Sequence, residues 1–233
     1  MNYRYITIIP ARGGSKRFPG KNIHSFMGIP LIAHSIRCSQ QCEKVSRTFV
    51  STDDEQIKQV SLRFGAEVID RPSELGGDLT TSAEVMQNAV QNLVWGGVEF
   101  DYVLLLQATN PLRPNNLLKH AIQLIEESKA DSLMTVNRSE LKLGRIINHH
   151  FTPWNYHYGQ RSQDLEPLYY ENGLLYISSK ELLLHGKIIS EDMLPMVVDH
   201  VFGEVDIDTR EDLEYAEFIA NRYRKQISVQ QKE

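Results

Sequence analysis

Two hydrophobic rhythms alternate along this chain. Short apolar runs at 6–9, 45–51, 67–70 and 102–106 read as buried strands, and YVLLL at 102–106 is continuously apolar, as a central parallel strand covered on both faces should be. Between them the apolar residues fall at helical spacing. LIAHSIRCSQQC (31–42) follows Pro30 at a first turn, EQIKQVSLRF (55–64) is closed by Gly65, and SAEVMQNAVQNLVW, NNLLKHAIQLIEES and EDLEYAEFIANRYRK continue the series. Thr52 with Glu55, Thr81 with Glu84, and Thr209 with Asp212 are spaced as capping pairs at helix starts. DSLMTVN (131–137), GLLYIS (173–178) and the stretch carrying Asp206 and Asp208 read as further strands. This alternation predicts an α/β fold, a three-layer sandwich with a mostly parallel sheet.

The rhythm breaks once. From 138 to 170 the chain is rich in aromatic and histidine residues, among them His149, His150, Trp154, Tyr156, His157 and Tyr158, and shows no strand–helix period. The histidine spacing matches no metal-ligand pattern. His34, inside a helix, reads as a packed or surface residue rather than a ligand.

Composition narrows the picture. A chain of 233 residues with 41% hydrophobic content is read as one domain, 1–233. A net charge of −5 argues against binding nucleic acid or an anionic membrane by bulk electrostatics. The distribution says more: six Lys/Arg and no Asp/Glu precede Glu43, whereas residues 191–218 hold ten acidic residues against Arg210 alone. A basic front and an acidic back suit a polyphosphate held with a divalent metal; two solvated faces of opposite sign would look the same. Cys38 and Cys42 are too few for a structural zinc site and read as reduced, packed thiols. No charged n-region with a long apolar run opens the chain and no run approaches membrane-spanning length, so a cytoplasmic protein without membrane contact is expected. The last residues, ISVQQKE, read as a frayed polar tail.

Candidate chemistry begins at ITIIPARGGSKRFPGKN (6–22). A buried strand delivers the chain to the sheet edge, two glycines let the backbone approach a ligand, and Arg12, Lys16, Arg17 and Lys21 with Ser15 surround it. A polyphosphate is the natural guest. The loop is neither GxxxxGK[ST] nor GxGxxG. At the other end, Asp206 and Asp208 stand two residues apart on one face of the expected strand. Such a pair repels itself unless a cation joins it, which is the logic of a Mg²⁺ site, although an Asp-x-Asp pair also occurs simply solvating a turn.

IIPARGGSKRxPxKN, together with RPSEL (71–75), LLLQATNPLR (104–113), RSQDLEPLYYENGLLYIS (161–178) and VDIDT (205–209), resembles the CMP-N-acylneuraminate synthetases, cytidylyltransferases that activate nonulosonic acids. The resemblance runs in order through nearly the whole chain. It implies a nucleotide-diphospho-sugar transferase fold and a reaction of CTP with a nonulosonic acid giving CMP-sugar and pyrophosphate. It assigns Arg12, Lys16 and Lys21 to the triphosphate with Ala11, Gly13, Gly14, Ser15 and Asn22, and Arg71 and Ser82 to the nucleotide; helix capping is the other reading of Ser82. Gln107, Thr109, Gln163 and Asn172 fall to the sugar acid, Arg161 to its carboxylate or to the α-phosphate, and Asp206 and Asp208 to Mg²⁺, with Asp208 also catalytic. For 138–170 it implies an inserted arm that packs against a second subunit, hence a homodimer. Ser162 stands where the family pattern RRQDL has arginine, which puts one anion contact in doubt. RSQDLEP is closer to the pseudaminate branch, whereas ARGGSKR, QATNPLR and ENGLLYIS look more like the neuraminate and legionaminate branches. A Kdo cytidylyltransferase, a silent nucleotide-binding homologue and a flavodoxin-like domain are the alternatives.

Overall fold

The alternation is realised as one seven-stranded sheet with helices on both faces. The computed structural model describes residues 3–227; of the tail 227–233 expected to fray, Ile227 is instead buried and bridges to Pro114, and residues 228–233 lie outside the described residues. In chain order come β1 (Tyr5–Pro10), the two-residue partners β2 (Ser25–Phe26) and β3 (Ile29–Pro30), α1 (Leu31–Gln40), β4 (Val45–Thr52), α2 (Glu55–Arg63) and β5 (Glu67–Asp70). Then come α3 (Ser82–Trp95), β6 (Tyr102–Leu105), α4 (Leu117–Ser128), β7 (Ser132–Ser139), β8 (Gly144–Ile147) and β9 (His150–Pro153). The chain closes with β10 (Leu168–Ser179), α5 (Lys180–Leu184), β11 (Leu194–Val197) and α6 (Arg210–Arg222).

The sheet order is β11-β7-β10-β6-β1-β4-β5. β1 lies parallel between β4 and β6, β5 is parallel to β4, and β11 to β7; β10 alone runs antiparallel, between β6 and β7. Because β1 is covered on both faces, its alternate residues enter two different cores. Ile6 and Ile8 pack with Met86, Ala89, Val90 and Leu93 of α3, while Tyr5 and Ile9 join the cluster holding Ile32 and Ile36 of α1, Ile122 of α4 and Ile219 of α6. Each such fully buried aliphatic side chain is worth roughly 1.5–3 kcal/mol. The strand that carries the phosphate-type loop is thereby firmly held from both sides. Among the described residues no helix is long and apolar enough to cross a membrane.

Thr81 and Thr209 cap α3 and α6 in complete capping boxes with Glu84 and Asp212. Thr52 does not cap α2: β4 continues through it, and Asp54 is the cap, its carboxylate accepting the Ile57 N–H at 2.8 Å. The expected strand at 201–208 is also corrected. Residues 201–204 form a short 3₁₀ turn, and residues 205–208 are irregular because their backbone bonds go to a loop: the Asn110 side-chain amide donates to the Val205 carbonyl at 2.8 Å and the Ile207 N–H to the Thr109 carbonyl at 2.9 Å. Val205 and Ile207 are still buried, so the alternation survives without a ladder. The stretch from 138 to 170 holds the tail of β7 and a two-stranded hairpin, β8 with β9, turned by Asn148 and His149 at φ 51° and 65°. An Asn-His pair in place of Asn-Gly hid that turn from the sequence. Ile146, Phe151, Trp154 and Tyr158 stand exposed around it.

Candidate active site

Beyond the end of β1 the chain turns over Phe18, which is buried, and is braced from within: the Asn22 amide donates to the Arg12 carbonyl at 3.0 Å, and the Ser15 N–H to the Gly13 carbonyl at 3.0 Å. Gly13 is demanded by its surroundings. A Cβ there would stand 2.6 Å from Asp54 Oδ2, and its N–H donates to Asp53 Oδ1 at 3.2 Å. Gly14 meets nothing within 4 Å, so its backbone faces open space where a ligand can approach.

A cavity of about 420 Å³ opens beside this loop. Of the residues singled out in the sequence, Ala11, Arg12, Ser15, Lys16, Arg17, Lys21, Asn22, Thr109 and Asp208 line it, joined by Asp78. Four cations therefore face two carboxylates. Lys21 Nζ lies 2.6 Å from Asp208 Oδ1 with its side chain only 9% exposed, and Arg17 binds the other oxygen of Asp208. Asp78 takes Arg12 at 2.9 Å and Lys16 at 2.5 Å, and these two cations hold its carboxyl below the usual carboxylate range, Lys16 more than Arg12.

Asp206 stands at the exposed side of the same segment. The protein packed around its carboxyl raises its pKa, a Thr109 hydroxyl bond works in the opposite sense, and the charge of Asp208 adds to the rise. Asp212 closes the turn by accepting the N–H groups of Asp208 (3.0 Å) and Thr209 (2.8 Å). Among the described residues no three His, Cys, Asp or Glu side chains form a ready-made metal cluster.

Other candidates lie outside the cavity wall. Arg71 is buried at the end of β5, donating to the Ser51 carbonyl at 2.6 Å, and burial lowers its pKa. Ser82 is exposed on the first turn of α3; Thr81 does the capping, so the capping reading of Ser82 is set aside. Gln107 leads out of β6, its carbonyl accepting from Ser35 and Arg113. Asn172 is buried where β10 bulges, its amide bonded to Asn137, Thr135 and the Leu174 N–H. Arg161 pairs with Asp164 at 2.8 Å and Gln163 is exposed beside it; neither reaches the cavity of its own chain.

Sequence reasoning missed Asp53, Asp54, Asp78 and Arg113. Arg113 is 1% exposed and donates to the carbonyls of Leu174 (2.8 Å) and Gln107 (2.9 Å) and to Ser35 Oγ (2.9 Å), with burial pulling its pKa down to about 10. It ties the segment after β6 to β10 and α1. The only local signal for Asp53 and Asp54 was a pair of acids at a strand-to-helix junction, which reads as a cap.

The model of a family described as cytidylyltransferase matches residues 6–233. The chain is 34% identical over 220 residues to a pseudaminic acid cytidylyltransferase of Campylobacter jejuni, an alignment covering 92% of this chain and 95% of that protein. It is 35% identical over 219 residues to a CMP-N,N'-diacetyllegionaminic acid synthase of Legionella pneumophila, covering 88% and 91%. A solved structure of CMP:2-keto-3-deoxy-manno-octonic acid synthetase complexed with CTP superposes with a TM-score of 0.71 over 94% of this chain and 99% of that one. At 18% identity that likeness speaks for the fold.

Proposed function

This chain belongs to the cytidylyltransferase family, and on that premise we propose that it condenses CTP with a nonulosonic acid to give the CMP-sugar and pyrophosphate. The anomeric hydroxyl of the acid attacks the α-phosphorus in line as the bond to the departing pyrophosphate breaks. The observation that carries this reading is the cavity beyond β1, in which Arg12, Lys16, Arg17 and Lys21 converge on one small volume. Phosphoryl chemistry of this type needs positioning and charge neutralisation more than covalent catalysis. Arg12, Lys16 and Arg17 are exposed enough to follow the triphosphate, whereas the buried Lys21 is held where charge develops.

Mg²⁺ fits Asp206 and Asp208. Both are hard oxygen donors close in the chain, and a divalent cation between them would offset the repulsion of two neighbouring carboxylates. Asp212 is committed to the N–H groups of Asp208 and Thr209, and among the described residues no three such side chains form a ready-made cluster, so phosphate oxygens and water would complete the coordination. Bound there, the ion would supply Lewis-acid polarisation of the α-phosphate.

The exposed apolar residues of the β8–β9 arm support a homodimer, and a protein that handles CTP and a small acid suits the cytoplasm. Sedimentation at micromolar concentration should give twice the chain mass; a monomer would remove the dimer from this reading.

The deciding experiment is pyrophosphate release with Mg²⁺ and CTP across pseudaminate, legionaminate, N-acetylneuraminate and Kdo, with ATP, GTP and UTP as controls. Release with CTP and a nonulosonate supports the proposal and identifies the acid. Folded protein that turns over none of them sinks it.

A further inference from the structure

We propose that Asp78 is an internal competitor for the phosphate-binding cations: it occupies Arg12 and Lys16 in the free protein, yields to the triphosphate, and returns to help displace pyrophosphate. This rests on the reading of the cavity as a phosphate site. The geometry is specific. One carboxylate spans both cations, at 2.9 Å to Arg12 and 2.5 Å to Lys16, and it lines the same cavity as they do. An anion bound by these cations competes for their charge and donors with a carboxylate already there.

The surrounding loop is built for the exchange. On one side of Asp78, Gly76 is seated against Asp53, where a Cβ would come within 2.4 Å of Asp53 Oδ2. On the other side Leu79 is 97% exposed, and Thr81 begins the capped α3. The two ends are anchored while the residues between them bury no apolar side chain. Asp78 itself keeps 45% of its side chain exposed, so it can swing out without opening the core. Asp208 stands differently, since its partner Lys21 is buried.

Exposed ion pairs of this kind are individually weak, and two of them acting on one carboxylate lower the affinity for a competing polyanion by about tenfold. Because the competition is for the cations and not for the base, it weakens CTP and pyrophosphate alike. Its value lies after the chemical step, when pyrophosphate has lost its tether to the nucleoside and Asp78 competes with it directly.

The test uses the full chain and Asp78→Asn, which keeps shape and removes charge, with Asp78→Glu as the conservative control. Calorimetric titration with inorganic tripolyphosphate and with pyrophosphate should show about tenfold tighter binding in Asp78→Asn than in the wild type or Asp78→Glu, with the gap shrinking as salt is raised. Steady-state turnover should show a lower KM for CTP and stronger product inhibition by pyrophosphate, a pattern that a merely structural role would not produce. Unchanged or weaker polyphosphate binding by Asp78→Asn overturns the proposal. Wild-type protein that binds tripolyphosphate but never CTP would refute the cytidylyltransferase reading while leaving the competition measurable. Wild-type protein that binds neither overturns both.

Discussion

Lys21 Nζ and Asp208 Oδ1 lie 2.6 Å apart although 187 positions separate them in the chain. The pair joins the basic N-terminal loop to the acidic C-terminal segment across one cavity wall, and it unites the two halves of the proposed chemistry. Replacing Lys21 by Met should lower CTP-dependent turnover by about 10²–10³-fold, the cost of removing one preorganised charge from such a site. Asp208→Asn should do the same with the fold retained, although the thermal unfolding midpoint should fall because the buried Lys21 loses its carboxylate partner. Combining them should cost far less than the product of the single effects, because both act on one reacting centre. Turnover of Asp208→Asn within about twofold of the wild type would remove Asp208 from the mechanism.

Gly13 and Gly14 are adjacent yet should behave differently. An added methyl at Gly13 presses on Asp54, whose carboxylate also caps α2, so Gly13→Ala should cost about 1–2 kcal/mol of stability. Asp54→Ala in the same chain should cost less than additively, since the clash is then gone. Gly14→Ala points into open space and should leave the unfolding midpoint alone. Chemical denaturation of these variants decides the matter; a destabilised Gly14→Ala with an unaffected Gly13→Ala would contradict the loop geometry.

Arg113→Lys keeps the charge but loses the planar fork that serves two carbonyls and a hydroxyl. Leaving a buried carbonyl unpaired should destabilise the protein by about 2–3 kcal/mol, read as a shift in the urea midpoint. A midpoint equal to that of the wild type would show that the three bonds contribute nothing net.

His34 sets a pH dependence. It is 5% exposed, its Nε2 bonds the Phe26 carbonyl at 2.9 Å, and burial carries its pKa down to about 4 from an ordinary 6.5, with Arg37 and Arg113 adding to the fall and the Phe26 bond opposing it. The folded value lies below the unfolded one, so the unfolded chain takes up the proton first as the pH drops. The stability this group confers is present above pH 6.5 and is lost as pH falls from there towards 4, by about 3 kcal/mol. His34→Gln should flatten that part of the stability profile measured by urea denaturation between pH 7 and 4. An unaltered slope would mean that His34 is protonated in the native state.

The alternation of apolar strands with amphipathic helices was legible because each element announces itself locally: period, length and capping residue all sit within a dozen positions. The same holds for the loop after β1, whose glycines and cations are contiguous, and for the boxes at Thr81 and Thr209. Thr52 misled because a Thr followed by Glu at the right spacing cannot reveal that the strand runs on through it. Residues 201–208 misled because alternation reports burial, whereas a strand needs a neighbour, and here the neighbour is the loop after β6.

What the residues determined by themselves was the inventory: a three-layer α/β fold, a phosphate-type loop, an acidic pair near the end, and a family. Tertiary structure decided the pairing of charges. Asp78 on Arg12 and Lys16, Asp208 on Lys21, and Asp53 beneath Gly13 are contacts between distant segments, and their partners are set by where parallel strands end in space. It also decided burial, turning Arg113 and Asn172 into internal braces while leaving Arg12 and Lys16 at the surface. Charge and polarity are written in the sequence, but the work they do depends on distance and dielectric, and the fold alone supplies those.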